Sequence, residues 1–456
     1  MLSVLRHPTY RYLFIAQVIA LVGTGLATVS LGLLAYDIAG GGAAAVLGTA
    51  LAIKMVANVV IAPLVTAVAD RLPRRTLMVT MDLGRAAVAV ALPFATEIWH
   101  VYALIFVLQA ASATFTPTFQ STIPQVLPDE RDYTKALTLS RLAYDIESLL
   151  SPALAAVLLT MTTYDWLFGG TTLGFIASAI LVTSCVLPKP VPMPREGGVR
   201  SRAMLGSRRM WATPRLRAAL SLNLAVASAG ALILVDTVLI VREHFGMGNG
   251  AVSLALAAYG LGSMFAALLL SRLLAHARDR TVMLIAAGTL PISLSAAAII
   301  TAAEADAASW IWLLAIWAVI GAATAAVTTP IGRVIRRSTE ERELPAVFAA
   351  QFSLSHACWL LTYPLAGWLT TIGNPVAAGT LAVVALGATA AAAIIWPTAD
   401  PSVVEHVHTR LTADDPHLAD AESTVHGWRH RHEYVVNPQH PRWPRTAAGH
   451  SVQDGA

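Results

Sequence analysis

The sequence predicts an all-α membrane protein of twelve transmembrane helices, arranged as two halves of six with both termini cytoplasmic. Three observations carry this. Of the 456 residues, 56% are hydrophobic and 13% charged, at a mean hydropathy of +0.63, more apolar surface than a soluble core hides. The apolar residues fall into long runs without period-two alternation, and a backbone in lipid is satisfied only in helices or closed barrels. Landmarks of the first six runs return in the second six.

The first run, 12–36, follows a basic start at Arg6 and Arg11 and is too long for a signal-peptide core, so it reads as the first span. The second, 44–69, ends in a charged turn: Ala62 to Met78 reads APLVTAVADRLPRRTLM. Asp70, Arg71, Arg74 and Arg75 do not stay in hydrocarbon, so this is a short loop on one membrane face. Spans at 76–96, 100–126, 136–161 and 166–187 complete the first half, residues 1–187. Residues 188–216 form a polar linker with Lys189, Arg195, Arg200, Arg202, Arg208 and Arg209. Runs at 217–241, 250–274, 281–303, 308–332, 345–370 and 375–396 make the second half, 217–397. The tail, 398–456, is polar and holds eight of the thirteen histidines, among them His406, His408, His426, His430 and His432. Its composition predicts disorder, with metal binding the minor alternative.

Basic residues set the orientation. With the N-terminus inside, the inner segments hold Arg71, Arg74, Arg75, Arg131, Lys135, the linker, Arg278, Arg280, Arg333, Arg336, Arg337 and Arg342, whereas the outer loops hold only Arg242. Trp99, Trp166, Trp310, Trp312 and Trp368 fall at the outer helix ends, where amphipathic rings sit.

The internal repeat is explicit. Thr116-Pro117, Glu130-Arg131 and Ser151-Pro152 return as Thr329-Pro330, Glu341-Arg342 and Tyr363-Pro364, at offsets of 211 to 213, and DRTVM at Asp279 echoes RRTLM at Arg74. Parallel six-helix repeats build carriers whose substrate site lies between the halves. On these landmarks residues 1–400 resemble the major facilitator superfamily. Its loop signature G-x-x-x-D-R-x-G-R-[RK] matches Thr66, Asp70, Arg71, Pro73, Arg74 and Arg75, with both glycines replaced. The resemblance implies that Asp70 meets the start of the eleventh helix and locks an outward-facing state. The block from Phe115 through LPDERDY to Ser151-Pro152 is similar to the enterobactin exporter and macrolide efflux branch. SPALAA from Ser151 is a small-residue version of the family's G-P-x-x-G-G antiporter motif, implying a bend packed against the eighth helix at Gly260 and Gly262. The fourth helix lacks the family's intramembrane arginine at Phe106 to Gln109.

Ionisable residues within spans are the other candidates. Asp82 and Arg85 at i,i+3, and Arg141 and Asp145 at i,i+4, read as self-neutralising pairs. Lys54, with Asn58 a turn away, and Glu147, some 200° around its helix from Asp145, lack a partner on their own helices. Lys54 with Glu147 or Asp145 across the first half, and His356 in the eleventh helix, are therefore proton or substrate candidates, weighed against static pairing and packing. Asp236 reads as snorkelling to the outer interface, with cavity lining the minor alternative. Gln17, Thr24, Gln109, Thr114, Asn223 and Gln351 are candidate cavity-lining groups.

No G-x-x-x-x-G-K-[ST] loop, catalytic constellation or metal motif occurs, so no nucleotide, nucleic acid, cofactor or enzymatic role is expected. The reading is a plasma-membrane carrier exporting a small amphipathic or apolar compound, drug-like or siderophore, with membrane lipid and protons as its other partners. Import of a nutrient, or a receptor role without transport, are the alternatives.

Overall fold

A computed structural model of the chain describes residues 2–39, 49, 53–61, 63–64, 72–188, 204–398, 400 and, in the tail, 403–408, 418, 421–425, 427–433, 435, 440, 443 and 452–453. Helices dominate. The long ones are α1 Pro8–Ala39, α2 over residues 53–61, α3 Arg74–Ala91, α4 Ile98–Val126, α5 Glu130–Leu159 and α6 Tyr164–Thr183. The second half has α7 Pro214–Ala231, α8 Asn249–Leu273, α9 Asp279–Ala302, α10 Ala307–Thr328, α11 Leu344–Thr370 and α12 Asn374–Ile395. Among the described residues ten helical segments are long and apolar enough to cross a membrane. Part of α5 and much of the second predicted span, 44–69, lie outside the described residues.

Two separate apolar cores mark the halves. Buried residues between Met210 and Trp396 form one cluster around Trp317, while Val4 to Leu187 packs as smaller clusters around Tyr10, Phe115, Phe168 and Phe175. A small cluster joins them, with Ala113 of α4 and Ile61 of α2 against Ala349 and Phe352 of α11. Exposed Trp99, Trp166, Trp312 and Trp368 stand near helix ends, as the aromatic pattern predicts.

Four features depart from the sequence reading. The predicted linker contains a short helix, Leu205–Ala212, docked on α11 so closely that a Cβ on Gly206 would lie 1.9 Å from the carbonyl oxygen of Ala346. Beyond Ala231, α7 continues through two π-helical turns, Leu232–Asp236 and Ile240–His244. There Asp236 is fully buried rather than snorkelling, its carboxylate accepting from Thr370 at 3.3 Å. A π turn rotates the register of the side chains that follow it, which periodicity read from sequence does not anticipate. Gly262 faces α10 instead of α5: its Cβ would meet Ala318 O at 1.9 Å, and that of Gly321 would meet Tyr259 O at 1.9 Å. Small residues let these two helices touch backbone to backbone.

The fourth departure is the tail. Where disorder was expected, the described residues hold a four-stranded sheet in the order β2-β3-β1-β4, with β1 Val403–His408, β2 Glu422–Thr424, β3 Gly427–Glu433 and β4 Val452–Gln453. β1 runs antiparallel to β3 and parallel to β4. The overall polarity predicted a solvated chain, but Val403, Val404, Val407 and Trp428 supply the β-branched and aromatic residues a pleated surface accepts.

Candidate functional site

Three polar constellations span the boundary between the halves. The first lies where α2 runs beside α11. Ser353 donates to the carbonyl of Val59, binding the two helices. Near it Lys54 is half-buried and within electrostatic reach of both Glu147 of α5 and His356 of α11. His356 donates from Nδ1 to Phe352 O at 2.7 Å and rests against the Phe352 ring, which makes Nε2 the acceptor whenever the imidazole is neutral. Asn58, 3% exposed, and Gln351, 8% exposed, each carry an amide oxygen with no partner among the described residues. A buried amide oxygen without a donor is costly, so a wet or liganded surface is the natural reading of these two groups.

The second constellation joins α5 to α8. Arg141 and Asp145 form the i,i+4 pair at 3.0 Å. Ser263 of α8 sits between them, accepting from Arg141 Nε at 3.1 Å and Nη2 at 2.7 Å and lying 2.9 Å from both carboxylate oxygens of Asp145. Asp145 is thus engaged, and Lys54 is left to Glu147. In α3 the Asp82–Arg85 pair is buried, Ser178 donates to Asp82 at 2.7 Å, and the Arg85 guanidinium lies 4.5 Å from the Phe115 and Phe175 ring centres. That pair stays within the first half.

The third constellation closes one end of the bundle. Beyond α10 the chain turns at Pro330 into a short helix, Ile331–Arg337. Its Arg333 reaches Glu130 of α5 at 2.9 Å and donates to Thr134 at 2.7 Å; Arg336 donates to the Pro128 carbonyl and lies over Tyr133. Asp279, at the start of α9, stands 3.2 Å from Arg333 Nε and 3.4 Å from Arg337, ion pairs by distance that lack hydrogen-bond alignment. Glu130, Tyr133, Arg333, Arg336 and Arg337 line a cleft of about 150 Å³. Arg209 of the linker helix forks onto Glu343 at 2.7 and 2.8 Å, and Arg215 pairs with Asp400 at 2.5 Å.

Of the loop signature, Thr66, Asp70 and Arg71 lie outside the described residues. Pro73 precedes α3, Arg74 donates to Gln125 of α4, and Arg75 is exposed. The side chains of Ser151 and Pro152 are likewise outside the description, although their backbone continues α5. Gln17 accepts from Ser140 at 3.1 Å. Thr24, Thr114 and Asn223 bond to carbonyls one turn back on their own helices, and Gln109 is half-buried.

The sequence matches the Major Facilitator Superfamily over residues 13–248 and 224–431. The chain belongs to that family. Macrolide efflux protein A of Streptococcus pyogenes is 27% identical over 153 residues, 32% of this chain and 38% of that protein. YfiS, an uncharacterized MFS-type transporter of Bacillus subtilis strain 168, is 25% identical over 124 residues, 27% of this chain and 30% of that protein. The matches therefore span well under half the length of these curated relatives. Among solved structures, the human organic anion transporter MFSD10 (TETRAN) aligns with a TM-score of 0.70 at 14% identity, over 85% of this chain and 99% of that one. A bacterial homologue of the iron transporter ferroportin in its outward-facing state gives a TM-score of 0.70 at 13% identity, over 85% and 98%. At such identities the likeness is one of fold, and it is the fold of the superfamily.

As site residues, Ser263, Asp279, Arg333 and Asp400 go beyond the sequence reading. Arg333 and Asp279 did carry a signal, since both sit in the loops that mirror the first-half landmarks. Ser263 carried none.

Proposed function

We propose that the chain is a twelve-span secondary transporter of the plasma membrane, with both termini cytoplasmic, that exports a small amphipathic or apolar compound by alternating access. The observation that carries the reading is the buried polar seam between the halves. Lys54 of α2 stands there within electrostatic reach of Glu147 of α5 and His356 of α11, beside amide oxygens of Asn58 and Gln351 that have no partner among the described residues. Ionisable side chains in such a position mark a transport pathway more often than a structural need. Closure at one end by Arg333, Glu130 and Arg336 supports one of the two states such a carrier alternates between. The few charges elsewhere in the bundle favour an apolar cargo, the similarity to macrolide efflux protein A favours export of a drug-like molecule, and the sequence resemblance to the enterobactin exporter keeps a siderophore as the other proposed cargo. Protons are the proposed coupling ion, passing through the Lys54 and Glu147 pair. Asp70, in the loop between α2 and α3, is the proposed gate.

The test is transport by the full chain in sealed vesicles holding a pH dye. An imposed proton gradient should drive a lipophilic dye or a ferric siderophore across the membrane at a rate several times that of protein-free vesicles. Equal rates for both probes, with the protein shown folded, would overturn the export reading.

A further inference from the structure

The tail sheet presents a second, unrelated chemistry. His408, 3% exposed, and His440, fully buried, approach ring to ring with 3.2 Å between their Nε2 atoms. Two imidazole nitrogens bound to one tetrahedral ion at ~2.0–2.1 Å stand about 3.3 Å apart. The observed separation is that of a chelating pair, though a shared hydrogen bond has a similar length. Among the described residues no three ligand-type side chains converge, so this pair is half a site. The sheet register points to where the other half comes from. In the β1 and β3 ladder His406 is opposite His430, His408 opposite Trp428, and Val404 opposite His432. Residues opposite each other, and residues two apart along a strand, belong to one face. His406, His408, His430 and His432 therefore occupy neighbouring positions of a single face of two strands.

The tail is also fixed in place. Three residues past His440, Trp443 lies 4.4 Å from the Arg215 guanidinium, and Asp400, just before β1, bonds Arg215 and receives the Trp396 indole N–H at 3.0 Å. Strand ladders at one end and an anchored Trp443 at the other hold the two imidazoles together in advance of any ligand.

We propose that the tail sheet is a binding site for a divalent transition-metal ion of borderline softness such as zinc, with His408 and His440 as its core ligands, on a ladder whose register sets His406 opposite His430. Neutral imidazole is the ligand such ions prefer, and an all-nitrogen set disfavours calcium and magnesium.

The experiment uses the full chain in detergent, purified without a polyhistidine tag, stripped with chelator and titrated with zinc chloride by calorimetry. The expected result is one zinc bound per chain, with His408→Ala and His440→Ala each weakening it at least tenfold. His276→Ala, an exposed histidine after α8, should leave binding unchanged. Absence of binding to the wild-type chain, or equal binding by the wild type and the His408→Ala/His440→Ala double variant, overturns the proposal. Should the tail variants unfold, X-ray absorption of zinc on the wild-type chain decides. Two or more imidazole ligands support the site, and a shell without imidazole refutes it.

Discussion

Arg333 reaches Glu130 at 2.9 Å across the boundary between the two halves, while its Nε stands 3.2 Å from Asp279 on its own side. The two carboxylates are unequal. The Glu130 side chain is 55% exposed and that of Asp279 1%. An exposed pair is worth about 0–1 kcal/mol, whereas stripping a buried charge of its partner costs about 3–5 kcal/mol. Glu130→Gln is therefore expected to leave thermal stability nearly unchanged but to loosen closure. Arg333→Gln should cost about 1–3 kcal/mol, below the full penalty because Arg337 still stands 3.4 Å from Asp279. Thermal unfolding of both variants in one detergent checks this; a larger loss in Glu130→Gln would reverse the assignment.

The hydroxyl of Ser263 gives a second expectation. It is the group from α8 that meets both members of the Arg141 and Asp145 pair. Removing a hydrogen bond to a charged partner costs about 1.5–3 kcal/mol, so Ser263→Ala should destabilise within that range. The sharper measurement is a double-mutant cycle with Asp145→Asn. Residues in one network couple by more than ~0.5 kcal/mol, and additive losses would show that the contact carries no energy.

These two sites show what the chain disclosed in advance. Hydropathy placed nearly every helix, since a span in lipid has few alternatives. Pairs within one helix were legible from spacing: Arg141 with Asp145 and Asp82 with Arg85 are close because 3.6 residues per turn puts them there. Partners brought by packing were not. Ser263 is 118 residues from Asp145, and a serine in an apolar helix signals nothing by itself. Depth along a span does not tell which side of the helix Asp236 occupies, and the π turn at Leu232–Asp236 alters that side. The tail was misjudged for another reason. Its many charged and histidine residues weigh toward disorder, while the short alternating stretches that pair as β1 and β3 count for little in a composition.

Gly262 and Gly321 allow a test of packing alone. A methyl group at either would lie 1.9 Å from a backbone oxygen of the facing helix, which does not move as a side chain moves. Gly262→Ala and Gly321→Ala should each destabilise by about 1–3 kcal/mol or more, the range for overpacking. Gly288, in α9, has open space around its Cβ direction, so Gly288→Ala should be neutral or stabilising by up to ~1 kcal/mol through helix propensity. Equal melting temperatures for the three variants would mean that α8 and α10 are not in backbone contact.

The start of α10 carries a pH signature. Asp306 caps the helix reciprocally with Ser309, accepting its backbone N–H at 2.7 Å. That bond, then the one from the Ser309 side chain, holds the Asp306 carboxyl below the usual carboxylate range. A depressed folded-state pKa gives stability that is present above the unfolded-chain value of ~3.9 and is lost as pH falls through the folded value. Asp306→Ala should therefore melt lower than wild type at pH 7, with the difference shrinking at pH 3. Asp306→Asn keeps a capping oxygen and should show little of that pH dependence. A deficit of the same size at both pH values would assign the carboxylate charge no role in the cap.

The seam between the halves provides the decisive contrast. Lys54 and Glu147 are each half-buried and each is the other's opposite charge, with His356 close enough to Lys54 to be repelled when protonated. A static pair and a proton-handling pair predict different outcomes. If the pair only neutralises itself, Lys54→Met leaves Glu147 uncompensated and Glu147→Gln does the reverse, so each single variant loses stability. The double variant should then recover both stability and transport, because an apolar replacement of a buried pair is often neutral. If the pair moves protons, the double variant recovers stability alone. Transport driven by a proton gradient should stay at least tenfold down, and the remaining flux should lose its pH dependence. The second outcome is expected. Thermal unfolding and gradient-driven dye efflux measured on the same four proteins separate the two, and a double variant that transports at the wild-type rate would return Lys54 and Glu147 to the role of a structural pair.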